Sequence, residues 1–542
     1  GEHNVKNIKD PVRVYRVVME SVTPAAAVEG KKTGSGAWQR AALAVSVIII
    51  LGAAAGWYFF SHRASVDVYD EVEAKTIAVL PFENMSSDPE QKYFAEGLSE
   101  ELLNMLAQIR GLNVTGRTSS FAFKDSKKTA QEIAEILGVD NVLEGSVRKE
   151  KTKLRITAQL LRASDGFHLW SKTYDRELKD IFEVQEDISK AVAEGLKATL
   201  GVGYLKKSGG TDNASAYELY LKAKGQYNDL ELGRALGTIK AALLLDPEFA
   251  LAYALKAEIY NNRVARVGDK QISEELDEGL KASQKAIELA PDLAETQYAL
   301  GMTKTLKGDW VGAEQAYKKA LELVTDKSSC CNVEFYLQYE CLGYLERAKQ
   351  IVEAQIKKDP LNKTRHSQYI DILVVSGDIQ GAMEENKRAE ELFKDEWRDD
   401  AVKYSIRFSH GETIPKDELP EEVLAEHNAF GIDLEAPEKS LVAYRRLYTD
   451  RGGDSWGISG LVSLSMYAAY FGDPEFAMEL LEKAGTQRVG VITIIWIPVM
   501  KEVRQLPKFK KYVREAGLVD YWKKFGWPDL CRPVSDDDFV CD

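Results

Sequence analysis

Apolar residues recur at several spacings along the chain, and each spacing predicts a different element. From Ala41 to Phe60 the string AALAVSVIIILGAAAGWYFF runs 20 residues without a charge. That is about the length needed to cross ~30 Å of hydrocarbon as a helix. Residues 75–82 (KTIAVLPF) read as a buried strand ended by Pro81, and a polar loop, ENMSSDPEQ, follows. A helix is predicted from about Tyr93 to Ile109, because Leu98, Leu102, Met105, Leu106 and Ile109 share one face. A short strand follows at Leu112–Val114. Thr129 and Glu132 then form a T-x-x-E capping box ahead of Ile133, Ile136 and Leu137. Next the period falls to two. Leu154, Ile156, Ala158 and Leu160 alternate with Arg155, Thr157 and Gln159, which predicts a half-buried strand. Asp165-Gly166 is a hairpin turn signal. It leads to a strand through Leu169, Trp170 and Tyr174, and a helix over about 181–200 closes the series. The order β-α-β-α-β-β-β-α implies an α/β domain with a mixed sheet.

Beyond a linker, KKSGGTDN (206–213), helical periodicity takes over and the sequence becomes self-similar. Ala235, Ala313, Ala348, Ala382 and Ala477 each occupy the small-residue position of a second helix. The step from Ala313 to Ala348 is 35 residues and from Ala348 to Ala382 it is 34. Gly308-Asp309, Gly377-Asp378 and Gly472-Asp473 precede such alanines, and Pro247, Pro291 and Pro360 end repeats. Small residues let paired helices approach, and glycine makes the turn between them. Each unit buries its face only against its neighbours, so a superhelix with a concave surface is expected. Tyr253, Tyr260, Tyr298 and Tyr317 read as interhelical packing. The segment from about Asp399 to Pro437 has no clear register.

Charge adds orientation. Lys31, Lys32 and Arg40 lie before the apolar run; Asp67, Asp70, Glu71 and Glu73 lie after it. By the positive-inside bias the amino end is expected in the cytoplasm and the rest outside. The chain of 542 residues has a net charge of −14. Seven Lys/Arg against four Asp/Glu through Arg40 give +3, so the remainder carries −17. Such a surface repels phosphate backbones and argues against nucleic acid as a partner of the large carboxy-terminal part. Gly30-Lys31-Lys32-Thr33 lacks the upstream glycine and the preceding strand of a phosphate-binding loop.

Chemistry-bearing residues are sparse. The cysteines are Cys330, Cys331, Cys341, Cys531 and Cys541, with no CxxC spacing. Cys330 and Cys331 are expected in a helix or its connector. Cys531 and Cys541 close a short terminal loop and are read either as a disulfide of an oxidising compartment or as two free thiols. His168 sits in a strand and reads as structural. In the Glu83–Gln91 loop, Ser86 and Asp88 read as turn formers that cap the next helix. Asp536, Asp537 and Asp538 read as a solvated turn. No nucleophile-base pair and no metal-ligand spacing is found, so no catalytic, cofactor-binding or metal residue is assigned.

Three resemblances then organise the chain. The strings IAVLPFENMSSDPEQKYFAEGLSEELLNML, SSFAFK, EIAEILGVDNVLEGSVRK, LRITAQLLRASDGFHLW and YDRELKDIFEVQEDI, covering 75 to about 195, resemble the TolB amino-terminal-like domain of bacterial membrane-anchored signalling proteins. The repeats, clearest in LGMTKTLKGDWVGAEQAYKKALEL (300–323), resemble tetratricopeptide repeats, which bind extended peptides or protein surfaces. Residues 1–18, GEHNVKNIKDPVRVYRVV, resemble the closing strand-turn-strand of bacterial class III adenylate/guanylate cyclase domains. That family's metal-binding aspartates, purine-selecting residues and Asn/Arg pair lie upstream of the matched segment. None is carried over, and magnesium is expected only for the cyclase domain itself.

The resulting expectation is a multidomain chain. It comprises a cyclase remnant (1–28), a linker (29–40), a transmembrane helix (41–60), a linker (61–74), the α/β domain (75–205), a linker (206–213) and an all-α repeat array with an irregular tail (214–542). It is expected in the bacterial inner membrane as a single-pass protein with periplasmic carboxy-terminal domains. Its expected partners are the lipid bilayer and a protein or peptide ligand of the repeats; a homodimer is left open. The implied function is the sensory portion of a nucleotide cyclase. Two alternatives are a membrane-anchored winged-helix transcription regulator and a non-signalling envelope scaffold.

Overall fold

The computed structural model describes residues 2–3, 12–13, 75–109, 111–196, 210–264, 269–323, 335–430, 433, 436–450, 457–486 and 489–542. The chain divides into two compact units, Gly1–Glu71 and Val72–Asp542. In the first, β1 (Glu2–His3) and β2 (Val12–Arg13) pair antiparallel, with Glu2 opposite Arg13 and His3 opposite Val12. The run 41–60, Lys31 and Lys32, Cys330 and Cys331 lie outside the described residues.

The described helices overturn the expected localisation. Among the described residues no helix is long and apolar enough to cross a membrane. Even the helix Asp269–Leu289, at 21 residues, carries charges along its whole length. The single-pass inner-membrane placement with a periplasmic carboxy-terminal part is therefore withdrawn.

The second unit opens with β3 (Lys75–Val79), β4 (Glu83–Asn84), α1 (Lys92–Leu106), β5 (Leu112–Val114), α2 (Arg117–Phe121), α3 (Ala130–Leu137), β6 (Asn141–Glu150), β7 (Lys153–Arg162), β8 (His168–Glu177) and α4 (Ile181–Leu196). The sheet is mixed, in the order β5-β3-β6-β7-β8, with β4 on β6. β3 is parallel to β5 and β6, whereas β6, β7 and β8 form an antiparallel meander. Period-two alternation sorts the side chains to two faces. Ile77 and Val79 join Leu98, Ile156 and Ile188 under α1 and α4, while Ala78 and Leu80 pack with Ile133 and Val142 under α3. The capping box forms as read: the Glu132 amide donates to Thr129 Oγ1 and the Thr129 amide to Glu132 Oε2. Asp88 Oδ1 accepts the Glu90 amide at 3.0 Å and caps the turn that leads into α1. His168 is exposed at the start of β8.

Five antiparallel hairpins follow: α5 (Ala214–Asn228) with α6 (Leu232–Leu245), α7 (Ala250–Val264) with α8 (Asp269–Leu289), α9 (Ala294–Leu306) with α10 (Trp310–Leu323), α11 (Phe335–Cys341) with α12 (Leu345–Lys358), and α13 (Lys363–Val375) with α14 (Ile379–Phe393). Ala235, Ala313, Ala348, Ala382 and Ala477 are all completely buried. The Gly-Asp pairs divide the work of each turn. Gly308, Gly377 and Gly472 take positive φ (73°, 82° and 80°), where a Cβ is disfavoured. The aspartate that follows caps the second helix: Asp309 accepts the Gly312 amide, Asp378 that of Gly381 and Asp473 that of Phe476.

The segment without a clear register resolves into α15 (Asp399–Ser409) and α16 (Glu421–Phe430), followed by α17 (Pro437–Asp450), α18 (Ile458–Tyr470) and α19 (Pro474–Ala484). The end of the chain is α20 (Val489–Thr493), α21 (Lys501–Arg504), α22 (Pro507–Glu515), α23 (Leu518–Phe525) and a hairpin of β9 (Cys531–Pro533) with β10 (Phe539–Cys541). Cys531 and Cys541 are joined as a disulfide. Replacing both by Ser is expected to cost about 2–3 kcal/mol, the chain-entropy value for so short a loop. Trp522 and Trp527 lie 5.7 and 5.5 Å from Phe539 of this hairpin, so denaturant unfolding followed by tryptophan fluorescence reports the change directly.

Candidate functional site

First helices of successive hairpins line up side by side, and a groove of about 320 Å³ opens between them. Its walls come from Asn262 on α7, Met302, Thr305 and Leu306 on α9, Tyr336 and Leu337 on α11, and Thr364, Arg365 and Gln368 on α13, with Tyr317 of α10 behind. These residues are spread over more than 100 positions, yet each takes its place for the same reason. The other faces of the first helices are taken up by the alanine-lined seams between helices, so only this stripe remains to face the opening.

The groove combines apolar walls with fixed polar groups. Gly301 lets the Tyr317 ring lie flat on α9; a Cβ there would stand 2.4 Å from the ring. The Tyr317 and Thr305 hydroxyls are 3.1 Å apart, and Thr305 Oγ1 also lies 3.1 Å from Gln338 Oε1. Gln338 Nε2 passes the chain on, donating to Glu314 at 3.1 Å, which also accepts from the Tyr521 hydroxyl at 3.0 Å. Burial and the Glu314 charge push the Tyr339 and Tyr521 hydroxyls far above the usual tyrosine range, so both remain O–H donors. The wall is therefore backed by a satisfied hydrogen-bond network that fixes its shape. Asn262 Nδ2 donates to the Tyr227 hydroxyl at 2.7 Å. Arg365 is the single charged residue among those that line the groove, and its guanidinium donates to Gln368 Oε1 at 2.6 Å.

No nucleophile and base stand together in the groove, and among the described residues no group of three or more His, Cys, Asp or Glu is placed to hold a metal ion. The residues singled out from the sequence for their chemistry, Cys531 and Cys541, lie in the terminal hairpin and not here. Tyr317, read as packing, is completely buried and also backs the groove. The remaining groove residues were not read from the sequence. Their signal is a polar and aromatic stripe on first helices only, visible once the hairpins are in register.

A second cleft of about 580 Å³ lies where α1 and α2 meet α5 and α6. Its floor is charged and internally paired. Lys224 Nζ is 3.2 Å from Glu100 and 2.7 Å from Glu101; Arg117 Nε donates to Glu100 at 2.7 Å and Asn228 Nδ2 at 3.0 Å. Burial works against the Glu100 charge, but Lys224 and Arg117 outweigh it and hold the carboxyl below its ordinary range. This is a domain seam whose charges satisfy one another.

Comparison with known proteins gives the following. Residues 73–191 match the family described as "HilA/YgeH-like transcriptional regulator, second domain". That description differs from the TolB-like domain which the sequence strings resemble. Over 232 residues the chain is 35% identical to the Rhizobium meliloti protein named "Putative adenylate cyclase 3". The match covers 42% of this chain and 40% of that protein, so the chain spans about two fifths of the relative. Similar solved structures include two tetratricopeptide repeat proteins. YrrB, a TPR protein with an unusual peptide-binding site, is 19% identical, covers 35% of this chain and 91% of its own, and has a TM-score of 0.24. A tetratricopeptide repeat protein from Parabacteroides merdae is 14% identical, covers 50% and 93%, and has a TM-score of 0.28.

Proposed function

We propose that this chain is the partner-binding, regulatory portion of a class III nucleotide cyclase and that its groove captures an extended segment of another protein. The observation that carries the binding half is the groove itself. It joins apolar wall residues (Met302, Leu306 and Leu337) to the polar side chains of Asn262, Thr364 and Gln368 and to the one charged side chain in the lining, Arg365. The cyclase half rests on the similarity to a protein named as an adenylate cyclase and on the resemblance of residues 1–18 to the end of a cyclase domain. A captured partner alters output only through differential affinity for two states of the protein.

The test is cyclic-nucleotide output. The intact gene that encodes this chain, expressed in a bacterium lacking its own cyclase, is expected to raise cAMP or cGMP. Arg365→Glu reverses the groove's only charge and is expected to weaken partner binding at least tenfold and change nucleotide output, with helical content unchanged by circular dichroism. No cyclic nucleotide from the intact gene product overturns the cyclase half.

One observation favours a second reading. The family matched by residues 73–191 is described as part of a transcriptional regulator, which allows the same array to govern a DNA-binding domain. Sequence-specific DNA binding by the intact gene product, without cyclic nucleotide, is the outcome that selects it.

A further inference from the structure

The α/β domain touches the helical array at two places far apart along the chain, and the two contacts differ in kind. At the first, α1 packs on α5 in one continuous core that includes Phe94, Leu98, Tyr217 and Leu221. Gly97 allows the approach, since a Cβ there would lie 3.1 Å from Leu221. At the second, α2 meets the connector between α12 and α13, some 240 residues away, through four hydrogen bonds, with Leu361 of the connector as the one apolar side chain packed against the Leu80–Ile133 cluster. The Gly116 amide donates to the Lys358 carbonyl (2.8 Å) and the Ser119 amide to Asp359 Oδ1 (2.7 Å). The Leu361 amide donates to Ser119 Oγ (2.8 Å) and Asn362 Nδ2 to Thr118 Oγ1 (3.1 Å). Hydrogen bonds that exchange with water contribute little net free energy each, whereas a continuous core does not open piecemeal. The second contact, with the smaller apolar share, is the weaker of the two.

Its position ties it to the groove. Asn362 caps α13, accepting the Arg365 amide at 3.3 Å while its side-chain amide holds Thr118. Thr364 and Arg365 of the same turn line the groove. His366, also in that turn and completely buried, is held by Glu385 at Nδ1 and by the Pro360 carbonyl, 2.9 Å from Nε2. One rigid helical turn therefore carries both groove wall and interdomain contact.

We infer that the contact of residues 116–119 with 358–362 is a releasable latch, and that the first turn of α13 couples its closure to occupancy of the groove. The coupling rests on the groove being a binding site; the latch does not. By reciprocity, whatever opens the latch changes affinity in the groove by the same factor.

Hydrogen–deuterium exchange on the full chain tests both parts. Asp359→Ala removes the acceptor of the Ser119 amide. Gly116→Ala sets a Cβ 2.4 Å from the Asp359 side chain. Each is expected to speed exchange in peptides covering 116–121 and 359–363 at least tenfold, leaving 94–106 and 216–224 unchanged. No acceleration, or equal acceleration everywhere, overturns the latch. Thr364→Trp, which fills the groove in place of a ligand, is expected to shift exchange in 116–121 at least threefold. No shift overturns the coupling. The readout needs no cyclic nucleotide, so its failure is separate from failure of the cyclase reading.

Discussion

Lys224→Met is expected to destabilise the chain by about 3–5 kcal/mol, the typical cost of removing one partner from a buried ion pair. Only 16% of the Lys224 side chain is exposed, and Glu100 and Glu101 beside it are 11% and 16% exposed. Methionine keeps the stem of the side chain and deletes the charge, so the loss reports the stranded carboxylates and not a cavity. Adding Glu101→Met, whose carboxylate has lost its Lys224 partner, is expected to recover about 1–2 kcal/mol. The pH dependence has a definite sign. Glu100 is held below its ordinary value of 4.5, so its contribution is present above that pH and is lost as pH falls through the folded value. Lys224 is opposed by burial, but Glu100 and Glu101 raise it well above its ordinary 10.5; its contribution is present below that value and is lost as pH rises beyond it. Urea unfolding at pH 7 and pH 4 reads the acid arm, across which Lys224 stays charged. The wild type is expected to lose stability between them, and the Lys224→Met/Glu101→Met variant to lose less. Equal losses in both would show that the seam charges do not set its acid sensitivity.

That seam also shows where a sequence stops being readable. The elements on either side of it were legible because their signals are local. The capping box at Thr129 spans four residues, the alternation of β7 spans seven, and the Gly-Asp turns before Ala313 and Ala382 repeat within the chain. The helix α2 was not legible. Its five residues, RTSSF, favour no helix. It stands because Asp359, 240 positions away, accepts the Ser119 amide. The groove was invisible for a related reason. Asn262, Thr305, Tyr336 and Arg365 form no pattern in the sequence, and only the stacking of hairpins brings them to one wall. The tail reads as irregular because β9 and β10 are three residues each, and a disulfide and a tryptophan floor hold them where strand propensity does not.

Trp522→Ala is expected to cost about 3–5 kcal/mol, at the upper end for a core truncation. Trp522 is completely buried, 6.1 Å from Trp496 and 5.6 Å from Trp527. Its indole also donates to the Leu342 carbonyl at 2.9 Å. It is one of three such ties. Trp496 donates to the Cys341 carbonyl at 2.9 Å, and Trp310 donates to the Ala516 carbonyl at 2.7 Å. Together they bind the last helices to the turns of the third and fourth hairpins; the tail supplies an acceptor for the Trp310 N–H of the third and donors for the Cys341 and Leu342 carbonyls of the fourth. Every unit of a stacked array buries itself only against a neighbour, and here the tail adds a further tie by folding back on the turns of the third and fourth hairpins. Trp522→Phe tests the division of labour, since it keeps most of the apolar contact and deletes the N–H; a loss of about 1–2 kcal/mol is expected from the unpaired Leu342 carbonyl. If both variants unfold at the wild-type denaturant midpoint, the tail does not stabilise the turns it covers. If Ala loosens exchange in 341–346 as well as in the tail, while 94–106 is unaffected, the tail and the turns it covers unfold as one unit, apart from the α/β domain.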